Sequence, residues 1–171
     1  MTKKGKWVMG VLATLLVMAG FVSPAVAGTA ATTPDWAPMV AKIMMGLSLS
    51  LGLTGSAVGL SISFSALLGG GPANFYKIIP VAMMPGSQGI YSIVVFFTNM
   101  DQFNTDPYTV AGRAGIFGIA MLLSAWYQGI VCAAGIRSIQ EGRNTMANAL
   151  VAGAMPETYA VFALVMTFIM K

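Results

Sequence analysis

The sequence predicts an all-α membrane protein: two tandem transmembrane helical hairpins, four helices in all, preceded by an N-terminal hydrophobic signal-like segment. Three observations predict it. Of 171 residues, 57% are hydrophobic and only 8% charged, where a soluble domain carries about 25% charged residues. Four apolar stretches, residues 39–68, 75–99, 109–139 and 145–170, each exceed the roughly 20 residues needed to cross hydrocarbon. None shows barrel-like alternation, and backbone inside a bilayer must close its own hydrogen bonds, so these stretches are helices.

Residues 1–27 combine Lys3, Lys4 and Lys6, an apolar run over 7–22, and the small-residue end Ala25-Val26-Ala27. That is the pattern of a secretory-type signal peptide, the alternative being a retained extra transmembrane helix. Residues 28–38 form a polar, extracytoplasmic spacer. The first hairpin covers 39–99, a connecting loop 100–108, and the second hairpin 109–171. Within the hairpins the turns fall at 69–74 and 140–144, where Gly, Pro and Asn gather as turn chemistry requires. Lys77, Arg137 and Arg143 flank these two turns, whereas the loop between hairpins holds Asp101 and Asp106. The positive-inside rule puts both turns in the cytoplasm and, after cleavage, both termini outside.

Composition also excludes functions. The chain has no His and a single Cys, Cys132, so neither an intrachain disulfide nor a Cys/His metal cluster is available. The net charge of +4 reflects the N-terminal lysines and basic residues at segment ends, and no basic patch interleaved with aromatics suggests nucleic acid. There is no phosphate-binding loop and no catalytic triad, so no catalytic residue is assigned.

The hairpins read as copies of one unit. Ala82-Met83-Met84-Pro85-Gly86-Ser87 aligns with Gly153-Ala154-Met155-Pro156-Glu157-Thr158, as a duplicated supersecondary element would. In each copy a helix rich in small residues precedes a proline-containing one. Gly52, Ser56, Gly59 and Ser63 recur at helical spacing in the first helix, and Gly118, Leu122, Ala125, Gly129 and Cys132 or Ala133 continue a similar stripe in the third. Such faces let helix backbones approach closely in a membrane. They fit packing within one bundle and, more specifically, a crowded inner layer of a closed ring.

Between Thr145 and Met170 the one acidic residue is Glu157. A carboxylate at mid-membrane costs roughly 2.5–3.5 kcal/mol on insertion scales, so it must be protonated, paired or ligating a cation. A permanently protonated, hydrogen-bonded Glu is the structural alternative. Met84, Ser87, Gln88 and Tyr91 share one face of the second helix, and Gln128 sits midway along the third. Carbonyl, hydroxyl, amide and carboxylate oxygens together suit a hard cation. Pro85 and Pro156 free the carbonyls of Val81 and Ala152 and permit local distortion. The structural alternatives are back-bonding of Ser87 and Thr158 to their own helix and an interhelical bond between the glutamines.

Taken together, Met84-Pro85-Gly86-Ser87-Gln88-Gly89-Ile90-Tyr91, Tyr127-Gln128-Gly129 and Pro156-Glu157-Thr158-Tyr159-Ala160 resemble the rotor-ring proteolipid of V-type and A-type ATPases, known as K or c, in its duplicated four-helix form, over residues 39–171. The resemblance implies a homo-oligomeric ring in the lipid bilayer, turning against a stator subunit with an essential arginine and coupled to central-stalk subunits through the cytoplasmic turns. It further implies a Na⁺ site made of the Met84 carbonyl, the Ser87 hydroxyl, the Gln88 and Gln128 amides and the Glu157 carboxylate, latched by Tyr91. Close relatives have Thr where Ser87 stands. Because Gly86 replaces a carboxylate, one ion per subunit per turn is expected. Proton-translocating relatives usually lack one or both glutamines, so the resemblance favours Na⁺, with H⁺ as the alternative transported ion. Outside the family, the rivals are a small multidrug or cation antiporter and a structural membrane scaffold.

Overall fold

A computed structural model describes residues 33–71 and 75–170. The expected signal segment 1–27, residues 28–32 of the spacer and residues 72–74 of the first turn lie outside them. Among the described residues the structure is all helical, with α1 (Ala37–Gly69), α2 (Phe75–Met83), a 3-10 turn (Met84–Gly86), α3 (Ser87–Thr98), α4 (Pro107–Gln140) and α5 (Met146–Ile169). Since α2 and α3 form one span, four helical segments among the described residues are long and apolar enough to cross a membrane. At 1.5 Å per residue, α4 is about 51 Å long and overreaches the ~30 Å hydrocarbon at its ends.

Local chemistry explains the boundaries. The Asp106 side chain accepts from the Thr109 backbone N–H, with Pro107 in the first turn of α4. Thr145 caps α5 in the same way through Asn148. Both hairpin turns contain a glycine of positive φ, Gly71 at 75° and Gly142 at 71°, a conformation with no Cβ penalty only for glycine. These two glycines stand one repeat length apart, as do Pro85 and Pro156.

The duplication is visible in space. α1 and α4 run parallel and in register. A Cβ on Gly118 would lie 2.8 Å from Ser48 Cα, one on Gly55 2.7 Å from Leu122 Cα, and one on Gly129 2.5 Å from Gly59 Cα. Further along, Gln140 Nε2 donates to the carbonyls of Ala66 and Leu67. The small-residue stripes therefore bring α1 and α4 together as a close pair, and the second span and α5 pack against it. At the opposite end from the hairpin turns, the buried Arg113 guanidinium holds Asn99 Oδ1 at 2.9 Å and Gln102 Oε1 at 2.8 Å, tying the loop between hairpins to α4.

The two proline motifs, alike in sequence, differ in conformation. The second span tightens to a 3-10 turn at Met84–Gly86, whereas α5 stays α-helical through Pro156. The second span has prolines at both 80 and 85 with a glycine following the latter. α5 has one proline, followed by Glu157, a good helix former.

Candidate ion-binding site

Two apolar cores flank a polar layer. One gathers Ala41, Met45, Val95, Phe117, Met121 and Ala160 toward the loop between hairpins, the other Leu67, Ile78, Val81, Cys132, Ile136 and Ala149 toward the hairpin turns. Between them lie Ser56, Gln88, Ser92, Ser124, Gln128 and Glu157, and the side chains of Gln88 and Gln128 are fully buried, 0% exposed. Buried amides are costly unless hydrogen-bonded, and here they are.

Glu157, half-buried on α5, accepts from the Tyr91 hydroxyl at Oε1 (3.1 Å) and from Gln128 Nε2 at Oε2 (3.1 Å). Gln128 Nε2 also donates to the Gly153 carbonyl at 3.0 Å. Gln88 Nε2 donates to Gln128 Oε1 at 2.6 Å and to Ser124 Oγ at 3.1 Å. On the 3-10 side, Ser87 Oγ lies 3.2 Å from the Met84 carbonyl and 3.3 Å from Gln88 Oε1. All six residues singled out from the sequence (Met84, Ser87, Gln88, Tyr91, Gln128 and Glu157) thus fall in one continuous network spanning α3, α4 and α5. The back-bonding alternative also holds for Ser87, whose hydroxyl has Met84 O as an acceptor, and for Thr158, which donates to Met155 O at 2.7 Å and joins nothing else in this network.

One member was missed. Ser124 Oγ donates to the Pro156 carbonyl at 2.7 Å while accepting from Gln88. It stands four residues before Gln128 and so shares its helix face, but that spacing alone does not separate it from a serine that packs or bonds to its own helix.

The electrostatics limit what can bind. Among the described residues the ion pair formed is Arg143–Glu141, at the exposed turn, and no cluster of three His, Cys, Asp or Glu side chains exists. Glu157 therefore meets no basic side chain in the chain's described part. One carboxylate surrounded by neutral oxygens and amides is balanced by one positive charge. A monovalent cation or a proton leaves the layer neutral, while a divalent cation would leave a net charge in hydrocarbon.

The family of ATP synthase C subunits matches residues 112–170, the stretch that contains Gln128 and Glu157. Over 131 residues the chain is 27% identical to the A-type ATP synthase subunit K of Methanocaldococcus jannaschii, covering 74% of this chain and 60% of that protein. Over 132 residues it is 28% identical to the V-type sodium ATPase subunit K of Enterococcus hirae, covering 74% of this chain and 80% of that one. The chain thus spans about three fifths of the archaeal relative and four fifths of the bacterial one.

Proposed function

We propose that this chain is a rotor-type proteolipid similar to the ATP synthase C subunits, and that it binds and translocates Na⁺ at mid-membrane as part of a V/A-type rotary ATPase. The observation that supports Na⁺ is the pair of fully buried glutamine amides joined to each other and to Glu157. A proton needs only the carboxyl group. Two buried amides beside it supply the further neutral oxygens that replace a cation's hydration shell. The sodium ATPase relative points the same way. The ligands are the Met84 carbonyl, Ser87 Oγ, the oxygens of the Gln88 and Gln128 amides and the Glu157 carboxylate, and the Tyr91 hydroxyl latches that carboxylate.

The mechanism follows from charge. Occupied, the site is neutral and faces lipid at little cost; empty, Glu157 leaves an uncompensated charge that hydrocarbon disfavours by roughly 2.5–3.5 kcal/mol. A stator arginine supplies the counter-charge while one ion leaves and the next enters from the other side. The ring of identical chains then turns so that occupied sites move into lipid, and a membrane potential biases each step by about 2.3 kcal/mol per 100 mV. The chain is non-catalytic: ATP hydrolysis or synthesis belongs to soluble partners, reached through central-stalk subunits at the turns 69–74 and 140–144.

A carbodiimide takes up the proton of a protonated carboxyl group and is then attacked at carbon by the carboxylate oxygen, so Na⁺ that displaces the proton protects Glu157. We expect saturable protection by Na⁺ and not K⁺ at fixed pH in native membranes. Labelling that follows pH and ignores Na⁺ would make this a proton ring.

The repeat partner of Glu157 yields a second expectation. A Cβ on Gly86 meets nothing nearer than the Leu60 side chain, at 3.8 Å, and the position one repeat before Gln128 is Ala57. Gly86→Glu should therefore be accommodated and add a second carbodiimide-reactive carboxyl group that Na⁺ does not protect, since no amide stands at Ala57. Adduct counting by intact-mass spectrometry checks this; two adducts both lost with Na⁺ would contradict the role given to the amides.

A further inference from the structure

We propose that Ser124 is a positioning residue of the ion site: its hydroxyl, together with Gln128 Oε1, determines which end of the Gln88 amide faces the cation. The proposal rests on the sodium reading above. Backbone carbonyls accept hydrogen bonds and never donate them. Ser124 Oγ is 2.7 Å from Pro156 O, so its proton is committed there and its lone pairs face Gln88. The Gln88 atom 3.1 Å away must then be the nitrogen. The Gly153 carbonyl fixes Gln128 in the same manner: the atom 3.0 Å from it must be Nε2, which leaves Gln128 Oε1 to receive the other Gln88 N–H at 2.6 Å. Both Gln88 protons are thereby committed, and Oε1 is left beside Ser87 Oγ, on the cation's side.

Serines in membrane helices commonly bond back to their own helix, and here Ser50, Ser61, Ser63, Ser65 and Ser92 each donate to the carbonyl four residues earlier. Ser124 instead links α4 to α3 and α5. Without it, one of the two acceptors that orient the Gln88 amide is gone and Gln128 Oε1 alone holds the N–H₂ away from the cation, so the amide spends more time with its N–H₂ toward the ion, which repels it. A small packing residue would have no such effect.

The test is the sodium titration of carbodiimide labelling, run on membranes containing the assembled complex. Ser124→Ala and Ser124→Cys, the latter keeping volume while losing the strong donor, should each raise the Na⁺ concentration for half-protection about tenfold. The pH profile of labelling without Na⁺ should remain that of the parent, because the carboxyl and its Tyr91 and Gln128 contacts are untouched. Ser124→Thr, which keeps the hydroxyl beside the open groove that Ser124 lines with Ala120, Tyr127 and Met155, should restore the titration. Titrations that superimpose on the parent would overturn the proposal. So would a shift of the sodium curve and the pH profile together, which a general packing defect produces. Absence of sodium protection in the parent itself would instead remove the reading on which the proposal rests.

Discussion

Replacement of Glu157 by Gln is expected to abolish carbodiimide labelling and to reduce ATP-driven uptake of radiolabelled Na⁺ into inverted vesicles at least ~100-fold, while the ring still assembles. The side chain keeps its shape. Its amide oxygen can still accept from Gln128 Nε2, and its nitrogen can donate to Tyr91 once that hydroxyl rotates, so both contacts at 3.1 Å have a neutral equivalent. What is lost is the negative charge. A cation bound among neutral ligands carries its full charge into hydrocarbon, a difference of roughly 2.5–3.5 kcal/mol, or about two orders of magnitude in occupancy. Retained ring assembly separates this result from misfolding. Sodium uptake persisting at the parent rate would mean that Glu157 does not hold the transported ion, and with it the rotor mechanism fails.

That this carboxylate could be singled out from sequence follows from how harshly a bilayer treats charge. The four spans were legible from length and apolarity, and the close parallel pair from the glycine and serine stripes, because close backbone approach admits little but small residues. Gln88, Gln128, Tyr91 and Glu157 were legible too, each being too polar for its depth without a partner. Ser124 was not. A serine in a membrane helix is small enough to pack and able to satisfy itself on its own backbone, as Ser61 and Ser65 do, so nothing in its type announces a partner. Only the positions of Gln88 and Pro156 in space reveal that its hydrogen bonds run across helices. The difference between the two proline motifs was hidden for a related reason. Each motif frees a carbonyl, but whether the chain tightens to a 3-10 turn depends on the neighbouring Pro80 and Gly86 and on how the span packs.

The largest structural effect is expected at Gly129. A Cβ there would lie 2.5 Å from both Cα and O of Gly59 and 2.8 Å from its carbonyl carbon. These are backbone atoms in the middle of α1, so no side-chain rotation relieves the overlap and the two helices must separate. Gly59 meets the same face from the other side, with a Cβ 2.4 Å from Ala125 O, so separation at one point loosens the whole parallel contact. Inserting volume into a packed core costs about 1–3 kcal/mol when neighbours can yield, and backbone that cannot yield puts Gly129→Val at or beyond the upper end. The effect reaches the site because Gln128 is the adjacent residue: moving α4 outward pulls its Oε1 from Gln88 Nε2, 2.6 Å away. We therefore expect Gly129→Val to lower both the yield of assembled ring and its thermal midpoint in detergent, and to weaken sodium protection in whatever ring survives. Gly112→Ala, where a Cβ meets nothing within 4 Å of this chain, is the matched control and should leave all three unchanged. Parent-like stability of Gly129→Val would mean that α1 and α4 do not approach through these glycines, and the register that aligns the two hairpins would have to be redrawn.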